Sequence, residues 1–153
     1  MSDTTPQEYA PSPAAWVREQ VEQYEGSGGT AGTTLRDTDM PVVILTMRGA
    51  KTGKIRKVPL MRVEHDGDYL AVASKGGAPS NPQWFNNIVD TAANPTITVR
   101  DGATVGEYRA RPITDDAQRA QWWERAVAAY PPYADYAKKT SRTIPLFLLT
   151  PVG

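Results

Sequence analysis

The stretch KVPLMRVEHDGDYLAVAS, residues 57–74, decides the fold. Asp66-Gly67 is a turn pair, because both residues tolerate the positive φ that a two-residue hairpin demands. On either side, residues 57–64 and 68–74 are rich in apolar and β-branched side chains, so they are expected to pair as antiparallel strands. The same pattern returns downstream, where Asp101-Gly102 separates residues 96–100 from residues 104–111. An apolar run over residues 42–47 and another over residues 144–150 complete a set of six candidate strands.

Three helices are expected around them. Residues 14–25 space Trp16, Val17, Val21 and Tyr24 for one face, and the reading favoured is a helix docked on the barrel. A second helix follows Ser80 through Trp84, Phe85 and Ile88. A third follows Thr114 as N-cap, with Asp115 and Asp116 in its first turn. Its Ala120, Trp123, Val127 and Tyr130 recur at helical spacing before Pro131-Pro132 stops it. Repeated hairpins without alternating βα units predict a mainly β fold with flanking helices (α+β), an antiparallel barrel rather than a doubly wound sheet. Residues 1–37 read as a flexible tail plus the N-terminal helix, with a glycine-rich joint at 26–32, and residues 38–153 as the barrel domain.

The chain has 153 residues, enough for one core, and its charges cancel. A whole-molecule attraction to nucleic acid or acidic lipid is therefore not expected. Cysteine is absent and His65 is the sole histidine, so thiolate chemistry and a histidine metal cluster are excluded; no metal is expected. No apolar run approaches the roughly 18–20 residues of a membrane span. The expectation is a cytoplasmic protein without stable membrane insertion, peripheral membrane association through the N-terminal helix being the alternative not favoured. An exposed barrel edge often pairs, which makes a homodimer a candidate assembly.

Against this neutral background, residues 48–57 hold Arg48, Lys51, Lys54, Arg56 and Lys57 with no acidic residue. Such a concentration of cations suits an anionic partner, although it also suits a solvated turn. Thr52 adds a hydroxyl, Arg56 a bidentate fork, and Gly49 and Gly53 are expected to offer backbone N–H groups. Ser74-Lys75-Gly76-Gly77 then precedes Asn81-Pro82-Gln83-Trp84-Phe85, a strand-to-helix passage that either cradles a planar ring or merely needs glycine for its geometry. Tyr130, Tyr133 and Tyr136 bring three phenols together, suited to stacking on a flat ligand, to proton donation or to plain aromatic packing.

The ordered set Lys51-Thr-Gly-Lys-Ile-Arg56, Pro59-Leu60, Ala73-Ser-Lys-Gly-Gly77, Asn81-Pro-Gln-Trp84, Ala93-Asn-Pro95, Tyr130-Pro-Pro-Tyr133 and Arg142-Thr-Ile-Pro145 resembles the deazaflavin (F420)-dependent nitroreductase family of actinobacteria. The resemblance covers residues 41–150. It implies a split β-barrel related to the FMN-binding pyridoxamine-phosphate-oxidase group, with reduced coenzyme F420 as cofactor and an electron-poor small molecule as substrate.

Residue by residue, the resemblance implies that Lys51, Thr52, Gly53 and Arg56 hold the cofactor's phosphate and glutamyl tail, with Pro59 and Leu60 beside it. Ser74, Lys75, Gly76 and Gly77 would surround the deazaflavin, and Asn81 and Trp84 would complete the cofactor site. Met61, Tyr130, Tyr133 and Tyr136 would line the substrate pocket, with Tyr133 and Ser74 as catalytic residues. Ala50 and Met61 depart from the family's nitroimidazole-activating member, which carries arginine and tyrosine there. The implied activity is hydride transfer from F420H2 to enones, unsaturated lactones, quinones or nitroaromatics. An FMN enzyme on the same barrel and a non-enzymatic F420-binding protein are the alternatives.

Overall fold

A computed structural model of the chain describes residues 9, 12, 14–34, 40–74, 81–141 and 143–152. The expected tail over residues 1–13 lies outside the described residues apart from Tyr9 and Ser12.

Among the described residues, seven strands form one antiparallel sheet in the order β2-β1-β5-β6-β7-β4-β3. They are β1 (Val42–Arg48), β2 (Ile55–Met61), β3 (Glu64–His65), β4 (Asp68–Val72), β5 (Ile97–Asp101), β6 (Thr104–Pro112) and β7 (Leu146–Pro151). The helices are α1 (Ala15–Gly26), α2 (Gln83–Ile88), α3 (Asp116–Ala129) and α4 (Pro132–Lys139). Seven strands replace the expected six because residues 57–64 divide. β2 and β3 are the two edges of the sheet, and only Arg62 and Val63 separate them in the chain. The edges must therefore approach each other, and the sheet curls into a split barrel.

Period-two alternation sorts the side chains onto two faces. Val43, Leu45 and Met47 of β1 meet Ile97 and Val99 of β5, Phe147 and Leu149 of β7, and Tyr69 and Ala71 of β4 in one cluster. Side chains from every strand except β3 reach it, which marks it as the barrel interior; Trp84 and Ile88 of α2 join it. The alternate residues, Val42, Ile44, Leu70, Val72, Leu146 and Leu148, pack outward against α1, α3 and α4. A one-residue slip of β7 would carry Phe147 and Leu149 out of the interior. At about 1.5–3 kcal/mol for each fully buried apolar side chain, that slip is excluded.

Both hairpin turns form, but they differ in kind. Asp66 and Gly67 have φ of 53° and 88°, and His65 pairs with Asp68 around them, as a type I′ turn requires. At the second turn Asp101 remains in the strand and pairs with Thr104, so the loop residues are Gly102, with φ of 62°, and Ala103. Glycine first with positive φ is the type II′ arrangement.

The first helix docks on the barrel. Tyr24 has no exposed surface; its hydroxyl accepts the Gly102 N–H at 2.7 Å and donates to the Val42 carbonyl at 3.2 Å. Glu25 pairs with Lys57 of β2 and lies 3.8 Å from Arg100 of β5. The joint after α1 is built by specific bonds: the Gly29 N–H donates to the Tyr24 carbonyl at 2.9 Å. A side chain at Gly29 would run into the Gly102 carbonyl, so the joint closes directly on the second hairpin.

Two helix expectations are corrected. The N-cap of α3 is Asp115, whose carboxylate accepts the Gln118 N–H at 2.8 Å, rather than Thr114. Its buried face centres on Trp122 and Ala126, with Trp123, Val127 and Tyr130 at the margin. Pro131-Pro132 ends α3 and also begins α4, where Pro132 occupies the first helical position and loses no hydrogen bond by lacking an N–H.

Tyr24→Phe is expected to lower the free energy of unfolding by about 1–3 kcal/mol, because the Gly102 N–H loses its acceptor beneath a fully covered ring. Urea denaturation measures this, and an unchanged midpoint would show that α1 does not depend on the bond.

Candidate active site

The basic segment is the connection between β1 and β2. Its amides build the turn: the Gly49 N–H donates to the Lys54 carbonyl at 2.8 Å and the Gly53 N–H to the Gly49 carbonyl at 2.9 Å. The Lys54 N–H reaches the Thr52 hydroxyl at 3.2 Å. Gly53 has φ of 70° and Gly49 packs on Thr52, so both glycines are required by the turn's own geometry. This departs from the expectation that their N–H groups face a ligand.

Two asparagines hold the turn from outside. The Asn94 amide accepts the Arg48 N–H at 2.6 Å and donates at 2.9 Å to both the Arg48 and Asn87 carbonyls. Asn87, on α2, accepts the Ala50 N–H at 2.8 Å through its side chain. Asn94 is 6% exposed, so this is a buried amide with its capacity used. Neither asparagine was given a role by sequence reasoning; Asn94 stood within the Ala93-Asn94-Pro95 motif, the one signal that could have found it.

The cations divide. Lys57 is engaged by Glu25, and its ammonium lies 5.2 Å from the Tyr9 ring centroid. Arg56 is half-buried at the start of β2, while Lys51 and Thr52 are exposed at the tip. Further along β2, Leu60 joins the interior cluster and Met61 the outer one, with Pro59 half-buried just before them. Ser74 is 7% exposed just beyond β4. Lys75, Gly76 and Gly77 lie outside the described residues. Asn81 is half-buried ahead of α2. Trp84 is a core side chain, with its ring edge-on to Phe147 at 6.2 Å.

Tyr130, Tyr133 and Tyr136 come together where α3 passes into α4. The rings of Tyr130 and Tyr133 are 4.9 Å apart and edge-on, and those of Tyr133 and Tyr136 are 6.2 Å apart. The Tyr130 and Tyr136 hydroxyls share a hydrogen bond of 3.0 Å. Tyr133 is 5% exposed, packs in the outer cluster with Met61 and lies 6.3 Å from Trp123. Burial, reinforced by the two neighbouring phenols, pushes the Tyr133 hydroxyl far above its ordinary range. Burial and the bond to Tyr136 push Tyr130 up to about 12. Both phenols are held protonated at neutral pH.

A basic turn clamped at the end of a split barrel, with a buried Tyr133 packed in one cluster with Met61 of β2, is the setting for the comparisons with known proteins. The family model for the F420H(2)-dependent quinone reductase family matches residues 16–151. The chain belongs to this family. It is an oxidoreductase, and its reductant is coenzyme F420 in the reduced form. An F420H(2)-dependent quinone reductase of Mycobacterium tuberculosis (strain H37Rv) is 33% identical over 129 residues, covering 83% of this chain and 84% of that protein. A solved structure described as an F420-H2 dependent reductase is 49% identical, covers 75% of this chain and 98% of its own, and superposes with a TM-score of 0.64. A second, described as a domain-swapped dimer, is 49% identical, covers 90% and 99%, and gives a TM-score of 0.67. The heme storage protein HutZ from Vibrio cholerae shares the fold alone, at 13% identity and a TM-score of 0.51 over 75% of this chain and 84% of its own. No helix among the described residues is long and apolar enough to cross a membrane.

The donor set fits an anionic cofactor tail: an exposed ammonium, a hydroxyl and a guanidinium lie on a turn whose shape is fixed before any ligand arrives.

The raised tyrosines also set a stability window. An unfolded chain gives up its phenolic protons near pH of about 10, whereas the folded one keeps those of Tyr130 and Tyr133 to higher pH. Stability is therefore expected to be untouched below pH of about 10 and to fall as pH rises above it. Base unfolding followed by phenolate absorbance checks this; Tyr133→Phe should move the fall to higher pH.

Proposed function

We propose that the chain transfers hydride from F420H2 to quinones, and by the same chemistry to other electron-poor acceptors: enones, unsaturated lactones and nitroaromatics. The observation carrying this reading is the basic turn, locked by Asn94 and Asn87, in a chain of the quinone reductase family. Lys51, Thr52 and Arg56 hold the anionic tail, and Gly53 shapes the turn that presents them. Because Asn94 and Asn87 fix the turn in advance, little conformational entropy is lost on binding. Pro59, Leu60, Ser74, Lys75, Gly76, Gly77, Asn81 and Trp84 border the ring of the cofactor. Trp84 acts from the core, supporting α2 rather than stacking in the open.

When bound, F420H2 supplies a hydride and no one-electron chemistry, and that hard step belongs to the cofactor. The chain's own residues orient and stabilise. Met61, Tyr130, Tyr133 and Tyr136 form the substrate wall, and their apolar faces exclude water. A phenol with a raised pKa resists full proton loss. Tyr133 therefore donates a hydrogen bond to the oxygen on which negative charge develops, with Ser74 as a second donor. The protein works in the cytoplasm. It assembles as a homodimer, a reading supported by the neighbour described as a domain-swapped dimer. Residues 1–37 are read as a tail and N-terminal helix ahead of the 38–153 reductase domain, and α1 is tied to that domain by Tyr24 and by Glu25 with Lys57.

Arg56→Ala is expected to weaken F420 binding at least tenfold, as read by quenching of the cofactor's fluorescence. Binding as tight as the parent's would remove the basic turn from the cofactor site. Tyr133→Phe is expected to leave that binding within about twofold while lowering kcat with a quinone acceptor by about tenfold or more, in the range set by loss of one oxyanion donor. An unchanged kcat would exclude the phenol from the reaction.

A further inference from the structure

Away from the basic turn, a cleft of about 410 Å³ opens between α3, α4 and the approach to β7. Its size falls in the range of small-molecule sites, about 300–1,000 Å³. Trp123, Ala137 and Ile144 give it apolar walls, while Arg119, Thr143 and Asp116 bring polar groups to it. Ala137 on α4 contributes only a methyl group to the lining, and Trp123 on α3 an indole.

Arg119 gives the cleft its selectivity. One of its nitrogens, Nη2, donates to the Ile144 carbonyl at 2.7 Å, which fixes the plane of the guanidinium. It makes no ion pair among the described residues. Its pKa is lowered, mainly by burial, with Asp116 opposing the shift. A half-buried cation whose remaining N–H groups meet no carboxylate is undercompensated, and a planar anion restores the balance through a bidentate contact. Asp116 is exposed, and solvent screens its charge. It leaves room for one negative charge and disfavours a second.

We propose that this cleft is a binding site for a planar aromatic monocarboxylate, with its carboxylate on Arg119 and Thr143 and its ring against Trp123. The site is distinct from the basic turn and its occupancy does not depend on F420.

The probe is 2-naphthoate, with neutral 2-naphthamide as its isostere, each titrated calorimetrically into the full chain without F420. The expected result is at least tenfold tighter binding of the acid than of the amide. Arg119→Gln should abolish that difference while keeping its thermal midpoint close to the parent's. Should Arg119→Gln fail to fold, Ala120→Phe provides the second test: Ala120 lines the cleft, and a ring there should block both ligands. Equal binding of acid and amide, no binding of either, or undiminished binding to Ala120→Phe would each overturn the proposal. Loss of acid binding in Arg56→Ala with retention in Arg119→Gln would also overturn it, by placing the acid on the basic turn. Because F420 is absent throughout, failure here leaves the assignment of the basic turn standing, and failure of that assignment leaves this site standing.

Discussion

The chain passes from one edge of its sheet to the other through two residues, Arg62 and Val63, and the barrel depends on that crossing. Two free edges would invite pairing with other chains; joined so tightly, they bend the sheet around the side chains of β1, β5 and β7. The crossing is pinned by charge. Arg62 Nε and the Tyr69 hydroxyl both donate to one oxygen of Asp101, at 2.8 Å and 2.6 Å. Burial, with the Asp101 bond added, raises the Tyr69 pKa well above the ordinary value, so the phenol stays a donor at every working pH. An aspartate already holding a guanidinium and a phenol tolerates the partly apolar barrel mouth, where an unpaired carboxylate would be expelled.

The opposite end of β1 is held differently, and this separates fold from function along one strand. At Val42, β1 is tied to α1 through Tyr24. At Arg48, it is tied through Asn94 to the segment after α2. Neutral amides hold the basic turn in place without neutralising it, whereas a carboxylate at Asn94 would have weakened its attraction for an anion. Glu25 takes up Lys57 instead, on the side that faces α1. Toward the tip, the exposed Lys51 suits an anionic partner.

Much of this was legible in the sequence wherever a local rule had no competitor. Asp66-Gly67 demands positive φ at two successive residues, and no distant contact alters that demand. Asp101-Gly102 carried the same signal, yet its loop moved on by one residue because the Asp101 carboxylate is held by Arg62 and Tyr69, partners that no local pattern names. Trp122 and Trp123 are adjacent, so helical spacing fits either; only the packing of α3 on the barrel makes Trp122 the buried one. Pro131-Pro132 reads equally as a stop and as a helix start, and α4 was missed on that ambiguity. The cations of the basic turn stood out by composition. The asparagine that shapes the turn lies 46 residues away and could not be found by spacing.

The tyrosines show why position within the fold, more than residue type, decides what a phenol contributes. Tyr130 and Tyr136 satisfy each other through their shared hydrogen bond. Tyr133 lies against both rings and against Trp123, nearly covered, and its hydroxyl makes no hydrogen bond among the described residues. The Tyr133 hydroxyl is not a fully covered atom, so solvent still reaches it. A phenol kept protonated by its packing, with its hydroxyl open to solvent, can donate to an acceptor that arrives from outside. The aromatic packing that raises the Tyr133 pKa thus keeps the proton on the phenol, which stays a donor at every working pH.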